Sequence, residues 1–171
     1  MIIWLVGLSG SGKTTLGKKI FRYWKKIDKA TVLIDGDQIR DIFSNEKSNY
    51  DIKGRKRNAE RIRNICILLD RNNINVVVSV LSIFPDMLLW NRKNFKKYYE
   101  VFLNPKFETL ITRDVKGLYK SAKNRKVKNV VGMDIKFHPP KKPDLVLNQE
   151  GQLKSIKSCV DEILTQSGLK R

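Results

Sequence analysis

The chain has 171 residues, of which 35 are lysine or arginine and 17 are aspartate or glutamate, so its formal net charge at pH 7 is +18. This length predicts a single domain, residues 1–171, in which helices cover both faces of a sheet. Such a charge favours a polyanionic partner, for example a nucleotide, a nucleic acid or an acidic membrane surface. Because the basic residues are spread along the chain without an RNA- or DNA-binding motif, we expect no nucleic-acid substrate.

The sequence shows no feature of export or membrane insertion. No apolar stretch is long enough to span a bilayer, and the apolar N-terminal run lacks the basic lead-in and cleavage site of a signal peptide. Cys66 and Cys159 lie within apolar helical patterns and lack the spacing of a zinc site, so we expect two reduced core thiols. These features predict a cytoplasmic protein with no membrane partner.

Short apolar runs alternate with helical patterns along the chain. The predicted strands are Ile2–Val6, Thr31–Ile34, Val76–Val78, Glu100–Leu103 and Leu145–Leu147. Strands that alternate with helices in this way predict an α/β protein with a parallel sheet flanked by helices.

The first predicted helix follows residue 14, and the second begins near Gln38. The later predicted helices are Asn58–Asp70, Asp86–Lys97, a short one that ends with Thr109–Arg113, and Ile156–Leu164. In the helix from Asp86, we expect Leu89 and Trp90 to face inward. Residues 114–128 are basic and polar with few core candidates, which favours a functional lid, about 114–131, over a core element.

A phosphate-binding motif follows the first strand directly. Residues 7–14 read G-x-x-x-x-G-K-T and precede a helical pattern, which is the context that this motif needs. Glycines let successive backbone N–H groups point at phosphate oxygens, Lys13 would reach the β- and γ-phosphates, and the Thr14 hydroxyl would ligate Mg²⁺. The motif predicts ATP and Mg²⁺ as cofactors. The expected nucleotide contacts are Gly7, Leu8, Ser9, Gly10, Ser11, Gly12, Lys13, Thr14 and Thr15.

Two carboxylates follow the second predicted strand, at the sheet edge where ligands of parallel sheets bind. Asp37 suits a general base that orients an acceptor hydroxyl and takes its proton, and Asp35 could hold a water on Mg²⁺. Alternatively, either aspartate caps the helix that begins near Gln38. Arg40 lies one helical turn after Asp37 and is a candidate clamp for an anionic group of the acceptor. Small size, the Asp-Gly-Asp string and the lid together favour a small-molecule kinase.

Further strings complete a pattern that covers almost the whole chain. They are Tyr50, Arg55 and Asn58 in an aromatic-x4-Arg-x2-Asn arrangement, residues 79–82, residues 113–120 and residues 132–134. With the phosphate-binding motif and Asp35-Gly36-Asp37, these strings make the chain similar to adenylylsulfate kinases. The Lys-Gly-Leu-Tyr run and the Gly-x-Asp that follows it are specific to that family.

The resemblance implies a P-loop kinase fold that transfers the γ-phosphoryl group of ATP to the 3′-hydroxyl of a nucleotide with an anionic group on its 5′-phosphate. It assigns the catalytic carboxylate to Asp37 and acceptor clamps to Arg40, Arg55 and Asn58. Relatives commonly pair, so it also allows a homodimer. The full set of expected acceptor contacts is Asp35, Arg40, Tyr50, Arg55, Asn58, Leu81, Ser82, Lys116, Leu118 and Val130.

The pocket for the acceptor base departs from the family pattern. The family holds adenine between two aromatic rings, whereas here one of these positions is Tyr50 and the other is Val130. Loss of one ring removes about 1–3 kcal/mol of stacking. This change favours a smaller base, and cytidine diphosphoramidate, the acceptor of one kinase of the superfamily in capsular phosphoramidate synthesis, fits that description. Adenylylsulfate is the alternative acceptor, and a basic nucleic-acid-binding module with little turnover is the alternative of another class.

Overall fold

In the described residues of the computed structural model, 1–43, 50–114, 116–148 and 155–170, all strands belong to one parallel sheet. The strands are β1 (Ile2–Val6), β2 (Thr31–Asp35), β3 (Asn75–Val80), β4 (Tyr98–Asn104) and β5 (Leu145–Asn148). Their order in the sheet is β2-β3-β1-β4-β5. The predicted parallel α/β fold is confirmed.

Helices connect the strands and cover both faces of the sheet. They are α1 (Lys13–Ile27), α2 (Gly36–Ile42), α3 (Ile52–Arg71), α4 (Pro85–Asn94), α5 (Phe107–Arg113), α6 (Leu118–Lys123) and α7 (Ile156–Gln166). None of the helices in the described ranges has the length and apolarity that a bilayer crossing requires. Val115, which belongs to one of the strings of the family resemblance, lies outside the described residues.

The central strand β1 is buried on both faces because it lies between β3 and β4 in the sheet. Successive strand residues point to opposite faces, so Ile3 and Leu5 pack with α1 and α7, while Ile2, Trp4 and Val6 pack with α2, α3 and α4. Both cysteines lie in these cores and form no disulfide. The β1 residues therefore anchor the phosphate loop that follows them.

Helix α3 begins two turns earlier than its apolar stripe predicts. Its first residue is Ile52 rather than Asn58, because the Asp51 side chain accepts a hydrogen bond of 2.7 Å from the backbone N–H of Gly54 and so caps the helix. The first two turns carry few buried side chains and so have no apolar periodicity. This extension places Arg55 and Asn58 on the same rigid helix.

Helix α4 is rotated relative to its prediction. Leu88 and Asn91 face the core, whereas Leu89 and Trp90 are only partly buried. Trp90 packs edge-on against Phe95 instead, and the Arg63 guanidinium lies over its indole ring. The apolar pattern misses this rotation because the inward position at residue 91 holds an amide.

The segment predicted as a lid is anchored at two points. Tyr119 of α6 is 2% exposed, and its hydroxyl donates a 2.9 Å hydrogen bond to the carbonyl oxygen of Ser9 in the phosphate loop. Tyr119 also packs with Leu110 and Val130, which is 3% exposed. This part of the segment is therefore attached to the phosphate loop through a side chain that its polar composition does not reveal.

Candidate active site

The phosphate loop, residues 7–14, joins β1 to α1 at the carboxyl edge of the sheet. Gly10 and Gly12 have φ angles of +77° and +92°, a left-handed conformation that glycine adopts without steric cost. Gly12 is the N-cap of α1 and provides no side-chain cap, so the first N–H groups of the helix remain available to an anion. A Cβ atom at Gly7 would lie 2.7 Å from the Leu103 carbonyl oxygen, so glycine is also required there for packing.

Lys13 folds back over the loop. Its Nζ donates to the Leu8 carbonyl oxygen at 2.7 Å and to the Ser11 hydroxyl at 3.3 Å. Burial lowers the pKa of Lys13 to about 8, although the carboxylates of Asp35 and Asp37 oppose this shift. A triphosphate would supply the negative charge that a desolvated ammonium group lacks.

Asp35 links the phosphate loop to α2. One of its carboxylate oxygens accepts from the Thr14 hydroxyl at 2.8 Å, and the other caps α2 by accepting from the backbone N–H of Asp37 at 3.0 Å. Both alternatives for Asp35, the helix cap and a position beside Thr14, therefore hold in one side chain. A hydroxyl and a carboxylate are hard oxygen ligands that suit Mg²⁺, which keeps several waters and needs few protein ligands.

Asp37 lies in the first turn of α2 and is directed towards the segment predicted as a lid. Its carboxylate forms a 2.9 Å ion pair with Nζ of Lys116, and both side chains are more than half exposed. The pairing with Asp37 raises the pKa of Lys116. The predicted base is therefore open to solvent and to a ligand, with the Lys116 ammonium of the predicted lid segment beside it.

Two guanidinium groups converge on Tyr50. The Arg40 and Arg55 Cζ atoms lie 4.5 and 5.6 Å from the centre of the tyrosine ring. Arg55 is held by hydrogen bonds from Nε to the Tyr50 carbonyl oxygen at 2.7 Å and from Nη2 to the Asn129 carbonyl oxygen at 2.8 Å. Burial and the charge of Arg40 lower the pKa of Arg55. An anionic ligand at this point would relieve the repulsion between the two cations.

Asn58 and Val130 are fixed by the backbone around them. The Asn58 Nδ2 group donates to the Gly36 carbonyl oxygen at 3.1 Å and so ties α3 to the start of α2. The Asp134 carboxylate accepts from the backbone N–H groups of Asn129 and Val130. This turn explains the Gly-x-Asp string, because the aspartate orients the segment that carries Val130.

One cavity of about 520 Å³ connects these groups. The predicted site residues that line it are Ser9, Gly10, Gly12, Lys13, Thr14, Thr15, Asp35, Asp37, Arg40, Tyr50, Arg55, Asn58, Leu81, Ser82, Lys116, Leu118 and Val130. Gly7, Leu8 and Ser11 do not line it, and they shape the loop instead through the Lys13 and Gly7 contacts described above. The volume is within the range of small-molecule sites.

The cavity extends further than the sequence predicts. Additional lining side chains are Trp4, Ile62, Arg63, Met87, Leu88, Asn91, Val127, Lys128 and Asn129. The residues from β1, α3 and α4 come from distant parts of the sequence and match no motif. The polar residue Asn91, at an inward position of α4, could have indicated this part of the cavity. The prediction missed it because it placed Leu89 and Trp90 on the inward face.

Comparisons with known proteins agree with this geometry. The family model described as adenylylsulphate kinase matches residues 1–148. A curated relative named cytidine diphosphoramidate kinase, from Campylobacter jejuni, is 40% identical over 147 residues, which cover 86% of this chain and 85% of the relative. An adenylyl-sulfate kinase of Synechococcus sp. is 31% identical over 162 residues, covering 95% of this chain and 90% of the relative.

A solved structure is similar along most of the chain. The Mycobacterium tuberculosis APS kinase in complex with AMPPNP and APS has a TM-score of 0.82 and 27% identity, covering 96% of this chain and 95% of that one. The match therefore includes both the sheet and the helices that line the cavity. By its sequence, fold and site, the chain belongs to the adenylylsulphate kinase family and is a nucleotide kinase.

Proposed function

We propose that this protein transfers the γ-phosphoryl group of ATP to the ribose 3′-hydroxyl of cytidine diphosphoramidate. The observation that carries the proposal is a single cavity lined by Lys13 of the phosphate loop, by Asp37, and by Tyr50 and Val130. Such a cavity would hold a triphosphate, a carboxylate and an acceptor base in one space, which supports in-line phosphoryl transfer.

Each group has a definite part in this reaction. The open N–H groups of α1 and the Lys13 ammonium hold the triphosphate, and Asp37 orients the acceptor hydroxyl and accepts its proton. Thr14 and Asp35 would hold Mg²⁺, which neutralises charge on the triphosphate when it is bound. Arg40 and Arg55 bind the 5′-phosphate of the acceptor, on the ribose side of its terminal group.

Two observations support cytidine over adenosine in the acceptor. The Campylobacter jejuni relative is 40% identical to this chain, against 31% for the Synechococcus adenylyl-sulfate kinase. The cavity is lined by Tyr50 and by the aliphatic Val130, which stands where the family has its second aromatic ring. A base held by one ring loses part of its stacking energy, and this loss is smaller for a pyrimidine than for a purine with its larger π-face.

The test is a comparison of two acceptors with purified protein and MgATP. Cytidine diphosphoramidate should give the higher kcat/KM, and its product should carry a new phosphate at the 3′ position, detected by ³¹P NMR. A 3′-deoxy form of the same acceptor should give no phosphorylated product. A higher kcat/KM for adenylylsulfate than for the cytidine acceptor would overturn the proposal.

Adenylylsulfate kinase activity is the second candidate. It is favoured by the curated adenylyl-sulfate kinases at 31% and 32% identity, and by the structural match to a relative crystallised with APS. Under this candidate, the phosphate loop, Asp37 and the two arginines keep the same parts, and only the acceptor changes. The two-acceptor comparison therefore decides between the candidates without a change of design.

A further inference from the structure

The cavity continues beyond Asn58 into a deep end, which we define by its lining residues Trp4, Ile62, Arg63, Met87, Leu88 and Asn91. Arg55, Asn58 and Arg63 all line the cavity from α3, and their eight-residue separation corresponds to roughly 12 Å along a helix. At one end of this length Arg55 contacts Tyr50, and at the other Arg63 contacts Trp90, the residue before Asn91. Trp4 packs in the same cluster as Ile62 and Leu88. The site thus has room for a group that extends past the reacting ribose.

Unpaired polar atoms are concentrated around this cavity. In the described ranges, six buried side-chain nitrogen or oxygen atoms have no hydrogen-bond partner, and five of them belong to residues that line the cavity. An unpaired buried polar atom costs about 1–3 kcal/mol, so a concentration of them indicates a place where a ligand completes the hydrogen bonds. The donors are Trp4 Nε1, Arg40 Nε and Arg63 Nε, and the acceptors are Asn58 Oδ1 and Asn91 Oδ1.

The surroundings of the Asn91 amide favour one orientation. The amide lies beside the Tyr98 hydroxyl. This hydroxyl donates its one proton to the Glu100 carboxylate at 2.7 Å, so towards Asn91 it can only accept, which favours the amide nitrogen on that side. The amide oxygen, on a side chain 1% exposed, has no hydrogen-bond partner.

Asn58 presents its amide in the same way. Its Nδ2 group is used by the Gly36 carbonyl oxygen, which leaves Oδ1 as the unpaired atom. The two carbonyl oxygens that need donors, and the guanidinium and indole N–H groups that need acceptors, thus belong to residues that line the same cavity. A sulfate or an ionised phosphate offers acceptors alone and would leave both amide oxygens unpaired, whereas a phosphoramidate offers oxygens together with an N–H donor.

We propose that the deep end binds the 5′-terminal group of the acceptor, and that the Asn91 and Asn58 carbonyl oxygens accept hydrogen bonds from an amino group on its terminal phosphorus. Arg63 and Trp4 donate to the oxygens of the same group. Asn91 is then a specificity-determining residue that distinguishes an amidated terminus from a sulfate or a phosphate. This inference rests on the proposed function, because the base must lie between Tyr50 and Val130 for the 5′ group to reach the deep end.

The experiment compares two acceptors that differ in the terminal group alone, cytidine diphosphoramidate and cytidine diphosphate. At pH 8 the terminal phosphate of the diphosphate is ionised and carries no donor. The readout is the ratio of the two kcat/KM values, since general damage to the protein lowers both values and leaves the ratio unchanged. The variants are Asn91→Leu, which keeps the size of the side chain and removes the acceptor atom, and Asn94→Leu, a control on the exposed side of the same helix.

In the unsubstituted protein the ratio should favour the amidated acceptor. Asn91→Leu should lower the ratio by about tenfold to a hundredfold, the effect of one buried hydrogen bond, and Asn94→Leu should leave it unchanged. Tyr98→Phe removes the partner that orients the amide and should lower the ratio severalfold. If Asn91→Leu does not fold, Tyr98→Phe serves as the test variant. An unchanged ratio of the two kcat/KM values in the folded variants would overturn the inference.

Failure of the proposed function gives a different experimental result from failure of the inference about Asn91. If the unsubstituted protein phosphorylates neither cytidine acceptor, both proposals are overturned together. If it phosphorylates both acceptors equally well, the kinase assignment stands and the recognition of an amino group by Asn91 is rejected.

Discussion

Two halves of the cavity are built differently. The phosphate-loop half is lined by Lys13, Thr14 and Asp35, and the acceptor half, where we propose that the second substrate binds, by Arg40, Tyr50, Arg55, Val130 and the deep end. In the loop, Lys13 already has two hydrogen-bond acceptors and Thr14 already has a carboxylate, so these groups are held in place without a ligand. In the acceptor half, two arginines converge on Tyr50 and five buried polar atoms lack partners. The preformed loop suits any nucleoside triphosphate, whereas the unpaired groups need a ligand with matching donors and acceptors. Under the proposed function, we expect substrate specificity to reside in the acceptor half.

Asp37 lines the cavity between the two halves, and its substitution should have the largest effect on kcat. Asp37→Asn keeps the size of the side chain but removes the proton acceptor, and should lower kcat by about two to four orders of magnitude. Steady-state kinetics measure kcat, and calorimetry measures the affinity for an ATP analogue. This affinity should change little. Asp41→Asn, on an exposed position of the same helix, is the matched control. An unaltered kcat would remove Asp37 from its proposed part.

Val130→Phe tests the acceptor half alone. A second ring at this position should increase the affinity for an adenine acceptor by about fivefold to a hundredfold, while binding of the ATP analogue stays constant. The gain is measured as the affinity of the adenine acceptor for the complex of the protein with the ATP analogue. Because Val130 packs against Leu110 and Tyr119, an equal loss for the adenine and cytosine acceptors would instead indicate overpacking.

The pH dependence of ATP binding tests the phosphate-loop half. Below pH 8 Lys13 is charged in the free protein, so binding of a phosphate chain needs no added proton. Above about pH 8 the free lysine is neutral, and the phosphates must raise its pKa again, so affinity should fall by up to about tenfold per pH unit. Calorimetry at pH 7, 8 and 9 in two buffers measures affinity and proton uptake. A Lys13→Met variant should lose this slope, and an equal slope in that variant would assign it to another group.

Lys116→Met should have the smallest effect of these substitutions, and it should change the stability of the fold only slightly. The ion pair with Asp37 is largely solvent-exposed, and such pairs contribute about 0–1 kcal/mol. The melting temperature should therefore change by no more than about 2–4 °C, measured by calorimetry. A larger decrease would mean that the lid lysine stabilises the fold rather than serving the acceptor site.

The two halves also differ in how far the sequence predicts them. The phosphate loop is a continuous string, and its geometry follows from glycine positions and from the strand and helix on either side. The deep end of the cavity combines residues from β1, α3 and α4, whose proximity is created by the fold alone. Asn91 illustrates the difficulty, because a buried amide interrupts the apolar periodicity and shifts the predicted inward face of α4 to Leu89 and Trp90.

The ion pair between Lys116 and Asp37 affects whether water can react with ATP before the acceptor binds. While the acceptor is absent, Nζ of Lys116 occupies the Oδ2 atom of Asp37 at 2.9 Å, so this oxygen is not available to position a solvent molecule for attack on the γ-phosphate. An arriving ribose hydroxyl would separate the pair and release the carboxylate. The same contact would then limit wasteful ATP hydrolysis before the second substrate binds.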